Sequence, residues 1–227
     1  MSDIIIAIDG HSATGKSSTA KIVAKHLGYI YLDSGAMYRA TTLYFLTNKI
    51  ALENADRIKK ALDEIEIEFR KDKEGLPLTF LNGENVEDRI RTMEISSNVS
   101  RVSAIKAVRA AMVEQQRKLG ENKGIVMDGR DIGSVVFPKA ELKIFMTASA
   151  KVRAERRQKE LAEKGENITF DEILKNVMDR DEQDSSRKES PLIKVDDAIE
   201  IDNSNMSFDE QVTKIIDLAE AKIAALP

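Results

Sequence analysis

The 227-residue sequence contains no cysteine. That absence excludes a disulfide framework and any thiolate metal site, and it fits a reducing cytoplasm. Histidine is nearly missing as well. His11 and His26 stand too far apart for an imidazole metal centre, and His26 reads as an ordinary helix-end residue, because a cation suits a helix C-terminus. No run of about 18 apolar residues occurs, so no membrane-spanning helix is expected. The opening MSDIIIAIDG lacks the basic segment and long apolar core of a secretory signal, and enters a core strand directly. A formal net charge of −4 weighs against broad binding to nucleic acid and leaves any anion site to local clusters of Arg and Lys. What is present is ordinary for a globular chain: 42% hydrophobic and 33% charged residues can build and solvate a full core.

Five short apolar runs read as buried strands: IIIAI at 4–8, YIYL at 29–32, GIVM at 124–127, LKIFM at 142–146 and AIEI at 198–201. Continuous rather than alternating runs suit a parallel sheet covered by helices on both faces. Helical patterns lie between them. After the first run, KSSTAKIVAKHL is expected to turn Ile22, Val23 and Leu27 inward. Phe170, Ile173, Leu174, Val177 and Met178 form one stripe behind a Thr169/Glu172 capping box. Phe208, Val212, Ile215, Ile216 and Ala219 form another behind Ser207/Glu210. Strands alternating with helices give an α/β doubly wound fold.

One segment breaks this rhythm. IEIEFRKDKEGLPLTFLNG, 65–83, alternates apolar and polar residues, carries Gly75 and Pro77, and ends in an Asn-Gly turn signal. Those marks predict a small antiparallel sheet inserted in the core, with one face wet. A second interruption, RAERRQKELAEKGENITF, is helical and highly charged, and Gly165 ends it.

Gly10-His11-Ser12-Ala13-Thr14-Gly15-Lys16-Ser17-Ser18 satisfies the phosphate-loop spacing, with a buried strand before it and a helix after it. Consecutive backbone N–H groups and the positive helix end cradle a polyphosphate. Lys16 is placed to reach the terminal phosphates, and the Ser17 hydroxyl to ligate Mg²⁺. This points to a nucleotide and no further.

Three other clusters fall where parallel-strand C-termini open a crevice. Asp33-Ser34-Gly35 with Tyr38 and Arg39 is either a capped helix start or a grip on a second phosphate. Asp128-Gly129-Arg130-Asp131 is either a structural ion pair or a functional turn; an exposed pair adds little stability, so function is the better reading. Arg153, Arg156 and Arg157, then Arg180, Asp184 and Arg187, are either solvated helix faces or a lid over a transferring phosphoryl group.

The chain resembles bacterial cytidylate kinases in DSGAMYRA, LNGENVEDRIRTMEISSNVSRVSAIKAVR, MDGRDIGSVVFPKAELKIF, ASAKVRAERR and RDEQDSSRKESPL, from the phosphate loop nearly to the last strand. The resemblance implies a three-layer α/β/α unit with a five-stranded parallel sheet. Its core would be 1–36, 111–150 and 190–227, its monophosphate-binding region with the insert 37–110, and its helical lid 151–189. It implies ATP with Mg²⁺ as donor and CMP or dCMP as acceptor, with no nucleic-acid or membrane partner, and nothing demands more than a monomer. Residues 10–18 would hold ATP. Ser34, Tyr38, Arg39, Arg130 and Arg187 would surround the CMP phosphate beside Gly129. Ser100, Arg109 and Asp131 would read cytosine, and Arg180 and Asp184 would touch the sugar. Lys16, Arg130, Arg157 and Arg187 would be catalytic.

The cytosine assignment has a chemical reason. A carboxylate accepts from the exocyclic amino group of cytosine, whereas uracil presents lone pairs there. The loop departs from the family's usual Gly-Pro-Ser-Gly-Ala-Gly-Lys at His11, Ala13 and Thr14. A positive φ at position 13 would cost alanine about 1 kcal/mol relative to glycine. Two alternatives remain open from the residues alone: a kinase for UMP or another monophosphate, and a nucleotide-gated switch that hydrolyses slowly without an acceptor.

Overall fold

Each of the five apolar runs forms a strand, and together they make one parallel sheet. The computed structural model describes residues 3–71, 73 and 77–226. In chain order the strands of this sheet are β1 (Ile5–Gly10), β2 (Ile30–Asp33), β6 (Ile125–Gly129), β7 (Leu142–Thr147) and β8 (Ile199–Asp202), arranged β2-β6-β1-β7-β8. β1 is central, with Ile8 in register with Asp128 on one side and Ile144 on the other. Helix α1 (Lys16–Leu27) follows β1, and α2 (Ser34–Thr47) follows β2. The charged helices α6 (Ala150–Glu163) and α7 (Phe170–Ser186) pack on each other, and α8 (Phe208–Ala224) packs on α1.

The second sheet is antiparallel: β3 (Ile67–Lys71), β4 (Pro77–Leu81) and β5 (Glu84–Asn85). Asn82 and Gly83 turn the last hairpin with φ of 50° and 81°, the left-handed pair that a two-residue hairpin requires. Its outer face is mixed, with Glu68 and Arg70 opposite Phe80 and Leu78, and the Arg70 guanidinium lies 4.3 Å from the Phe80 ring centre. Gly75 lies outside the described residues. Helices α3 (Ala55–Glu64), α4 (Met93–Ser103) and α5 (Lys106–Leu119) complete this part of the chain.

The chain forms two compact units, 1–32 with 120–227, and 33–119. Each has its own apolar centre. Ile6, Ile8, Val126, Ile144, Val23 and Ile215 fill the first. Met37, Phe45, Ile58, Ile90, Val99 and Met112 fill the second.

Both expected capping boxes form, at Thr169/Glu172 and Ser207/Glu210. Three stripe residues do not turn inward as expected: Ile22, Met178 and Phe208 are exposed. α1 presents Ala20, Val23 and Ala24 to the core instead, so the sheet meets a narrower face than the hydrophobic pattern suggests. Met178 borders its stripe, and Phe208 occupies the first turn of α8.

Candidate active site

β1 runs directly into the phosphate loop, and the backbone there dictates the residue types. At Gly10, φ is 146°, and a Cβ would sit 2.0 Å from the Met146 carbonyl oxygen of β7, so only glycine fits. Gly15, with φ of 85°, is the N-cap of α1. It has no side chain to occupy the first-turn amides, and that turn holds no acidic residue, so the positive helix end is left to an anion. Ala13 adopts φ of 58°. The departure from the family pattern at this position therefore stores backbone strain of about 1 kcal/mol.

Lys16 is buried. Its ammonium donates to the His11 carbonyl and to Thr14 Oγ1 at 3.3 Å, and Thr14 Oγ1 donates to the same carbonyl at 3.1 Å. Burial pushes the Lys16 pKa down to about 7, and the nearby Arg130 charge adds to the effect. Ser17 Oγ donates to Asp128 Oδ2 at 2.9 Å, and the Tyr31 hydroxyl to Asp128 Oδ1 at 2.7 Å. Ser17 and Asp128 thus offer hard oxygen donors of the kind Mg²⁺ accepts. Among the described residues no group of three or more His, Cys, Asp or Glu is arranged to hold a metal.

The loop is braced from residues far along the chain. The Asn203 amide donates to the Thr14 carbonyl at 2.7 Å and to Gln211 Oε1, and Gln211 Nε2 donates to Thr19 Oγ1 at 2.7 Å. Arg156 holds Asn203 through two bonds of 2.9 Å. Arg153 is no solvated surface residue. It is buried, forks onto Asp181, and donates to the Ser12 carbonyl at 3.2 Å. Arg180 donates to Ser12 Oγ at 2.7 Å. His11 packs edge-on to Phe145 and lies 3.3 Å from Asp181. His26 pairs with Glu220 at 2.8 Å, as befits the last turn of α1. Ser18 is exposed in the first turn of that helix.

β6 ends at Gly129, in register with Asp9. Gly129 is not among the residues of positive φ, so this turn does not draw on glycine's left-handed conformations. Arg130 and Asp131 then lead into one π-turn, in which Val136 N donates to the Asp131 carbonyl and Phe137 N to that of Ile132. The turn is fixed by Asp9, whose two carboxylate oxygens accept from Ile132 N at 2.8 Å and Gly133 N at 2.7 Å. Arg130 Nε donates to Asp184 Oδ2 at 2.8 Å, and Arg187 approaches the other oxygen at 3.8 Å. Burial opposes ionisation of Asp184, yet Arg130, Arg180 and Arg187 hold its pKa below the usual carboxylate range. Burial likewise works against the Arg130 charge, and Asp184 outweighs it. Arg157 pairs with Glu160 on its own helix at 2.8 Å.

In the unit 33–119, Asp33 is the N-cap of α2, accepting from Ala36 N at 2.8 Å. Arg39 Nη2 donates to Asp33 Oδ2 at 2.9 Å. Arg109, buried on α5, places its guanidinium 5.2 Å from the Tyr38 ring centre and donates to the Ser103 carbonyl at 3.1 Å. Ser103 Oγ in turn donates to the Ser100 carbonyl at 3.0 Å. This unit therefore brings Tyr38 and Arg109 together, one turn of α4 from Ser100.

A strand-loop-helix phosphate cradle, a buried lysine at its helix end and a carboxylate holding several arginines define a P-loop phosphotransferase. Residues 6–221 match the family model described as cytidylate kinase. A relative from Flavobacterium psychrophilum named cytidylate kinase is 56% identical over 222 residues, covering 96% of this chain and 98% of that protein. Another so named, from Bacteroides fragilis strain YCH46, is 57% identical over 215 residues, covering 93% and 94%. The chain belongs to the cytidylate kinase family. A crystal structure of an uncharacterized protein from Eubacterium ventriosum shares the fold, with a TM-score of 0.52, 14% identity, and coverage of 96% and 99%.

The residue patterns did not single out Asp9, Asp181, Asn203 or Gln211, and they gave Asp128 only as the start of the Asp128–Asp131 turn. Asp9 and Asp128 carry a usable signal, a carboxylate near the C-terminal end of a buried parallel strand. The other three carry none, since apart from the Asn203–Gln211 bond their partners lie 28 to 192 residues away.

Proposed function

We propose that the protein transfers the γ-phosphoryl group of Mg-ATP to CMP and dCMP, giving CDP or dCDP and ADP. It does so as a monomer, in cytoplasmic pyrimidine nucleotide metabolism. Residues 10–18 hold the ATP phosphates in this reading. An anion beside Lys16 restores the charge that burial opposes, so the lysine is fully cationic when it matters. Mg²⁺ supplies charge neutralisation on the donor phosphates, and Ser17 with Asp128 would hold it. Ser34, Tyr38, Arg39, Arg130 and Arg187 grip the acceptor phosphate; Ser100, Arg109 and Asp131 read the base; Arg180 and Asp184 meet the sugar.

An acceptor phosphate oxygen forms the new P–O bond as the bond from the γ-phosphorus to the bridging oxygen of ADP breaks. The acceptor is already an anion near neutral pH, so no general base is needed. Positioning and charge stabilisation by Lys16, Arg130, Arg157 and Arg187 carry the rate. Residues 37–110 serve as the acceptor region, 151–189 as a lid that excludes water, and the remaining residues as the core.

The observation that carries this reading is the cluster of Arg130, Arg180 and Arg187 around Asp184, with Arg180 in contact with the phosphate loop. Its test is Asp131→Ala. Turnover of CMP should fall at least about tenfold relative to UMP; an unchanged preference contradicts the base assignment.

A further inference from the structure

The inserted antiparallel sheet is joined to Arg39 by an unbroken chain of polar contacts within the unit 33–119. It starts at Thr79 of β4, which is buried and donates from N and Oγ1 to Glu87 Oε2 at 3.0 and 2.7 Å. The other oxygen of Glu87 accepts from Arg91 Nε at 3.1 Å and Nη2 at 2.7 Å. Arg91 Nη2 also donates to Asp33 Oδ2 at 2.9 Å, the same oxygen that takes Arg39 Nη2 at 2.9 Å. Asp33 Oδ1 meanwhile caps α2 through Ala36 N.

Glu87 and Arg91 stand four apart, Arg91 as the last residue of the 3-10 turn at Arg89–Arg91, and they pair directly at 2.7 Å. Arg91 is the only group in this chain of contacts that touches both carboxylates: Nη2 donates to each, and Nε adds a second bond to Glu87. Burial opposes ionisation of Asp33 and Glu87; Arg39 and Arg91 override it at Asp33, and Arg91 with the Thr79 hydroxyl at Glu87, so both pKa values lie below the usual carboxylate range. A carboxylate kept ionised and pinned on one side can hold Arg39 in one place on the other.

We propose that Arg91, fixed by Glu87, is a positioning residue for the acceptor phosphate, acting through Asp33 on Arg39. This rests on the reading above, in which Arg39 grips the phosphate of CMP. It gives the inserted sheet a task in the reaction: the sheet anchors the far end of the chain of contacts that aims the phosphate-binding arginine. Arg91 itself need not touch the substrate.

The test is steady-state kinetics of the full-length protein with Mg-ATP and CMP, for Arg91→Met, Arg91→Lys, Arg39→Met and the Arg39→Met/Arg91→Met double variant. Arg91→Met should raise the KM for CMP about tenfold through misplacement of Arg39. The KM for ATP should stay within about twofold, because the donor contacts are untouched. Arg91→Lys, which keeps the charge but not the second bond to Glu87, should recover part of the loss. It also carries the test if Arg91→Met does not fold. The double variant should be no worse than Arg39→Met alone, since Arg91 acts only through Arg39.

Losses that add in the double variant, a KM for ATP that rises in step with that for CMP, or a KM for CMP that does not change each overturn the proposal. The unchanged protein separates the two failures. If it does not phosphorylate CMP, the functional reading falls and takes this inference with it; if it does, only the positioning role is at stake.

Discussion

Two aspartates stand near the C-terminal ends of strands, one in each compact unit, and they titrate in opposite directions. Asp9 ends the apolar part of β1, where burial raises its pKa from 3.8 to about 7. Asp33 ends β2 and caps α2, and its pKa is held well below 3.8. Both are buried. What differs is the company. Asp9 is met by two backbone amides, which orient the carboxylate but bring no full charge. Asp33 is met by one amide and two guanidinium groups. Burial alone does not decide the charge of a carboxylate; the charge of its partners does. In the first unit the result is a hinge-pin for the turn that carries Arg130 and Asp131. In the second it is a fixed anion that orients arginines.

The comparison breaks most visibly at Asp33. Asp33→Asn leaves Arg39 and Arg91 without their shared anion and should cost about 3–5 kcal/mol in urea unfolding, the usual penalty for uncoupling a buried ion pair. A loss under about 1 kcal/mol would mean that the pair is solvated in solution.

Titration sharpens the contrast. Asp9, with its folded pKa raised, contributes stability that is fully present below 3.8 and is lost as pH rises through about 7. Asp33, with its folded pKa lowered, contributes stability present above 3.8 and lost as pH falls through its folded value. Thermal melts from pH 3 to 8 should therefore show Asp9→Asn flattening the decline between about pH 4 and 7, while Asp33→Asn reduces the acid-side loss below about pH 4. Identical profiles for the two variants would remove the distinction.

The smallest effect concerns the phosphate loop next to Asp9. Ala13→Gly should stabilise the protein by up to about 1 kcal/mol by relieving the left-handed φ, offset in part by the added freedom of the unfolded chain. A clear loss of stability would mean that the Ala13 methyl group packs usefully.

The fold is largely legible in the sequence. Buried parallel strands advertise themselves as short apolar runs, and caps and hairpin turns are local chemistry, so the five strands, both capping boxes and the Asn82-Gly83 turn could all be read from neighbours in sequence. The phosphate loop was legible for the same reason. Helix faces were less so: Ile22 and Phe208 fit a period but meet solvent, because the period does not say how wide the covering surface is. The bracing of the site was hardest to read. Ser17 with Asp128, and Asn203 with Thr14, join residues 111 and 189 positions apart. No pattern along the chain announces such a pair, and the same holds for Arg91 with Asp33, 58 positions apart.

The central claim is that the phosphate loop defines the donor and that the residues beyond it select a cytidine monophosphate as acceptor. Release of ADP from Mg-ATP, measured against CMP, dCMP, UMP, AMP and GMP with the unchanged protein, tests it directly. CMP and dCMP should exceed the others in kcat/KM by at least about tenfold, or roughly 1.4 kcal/mol of transition-state discrimination. Equal turnover of the five acceptors, or ADP release that needs no acceptor at all, would contradict it.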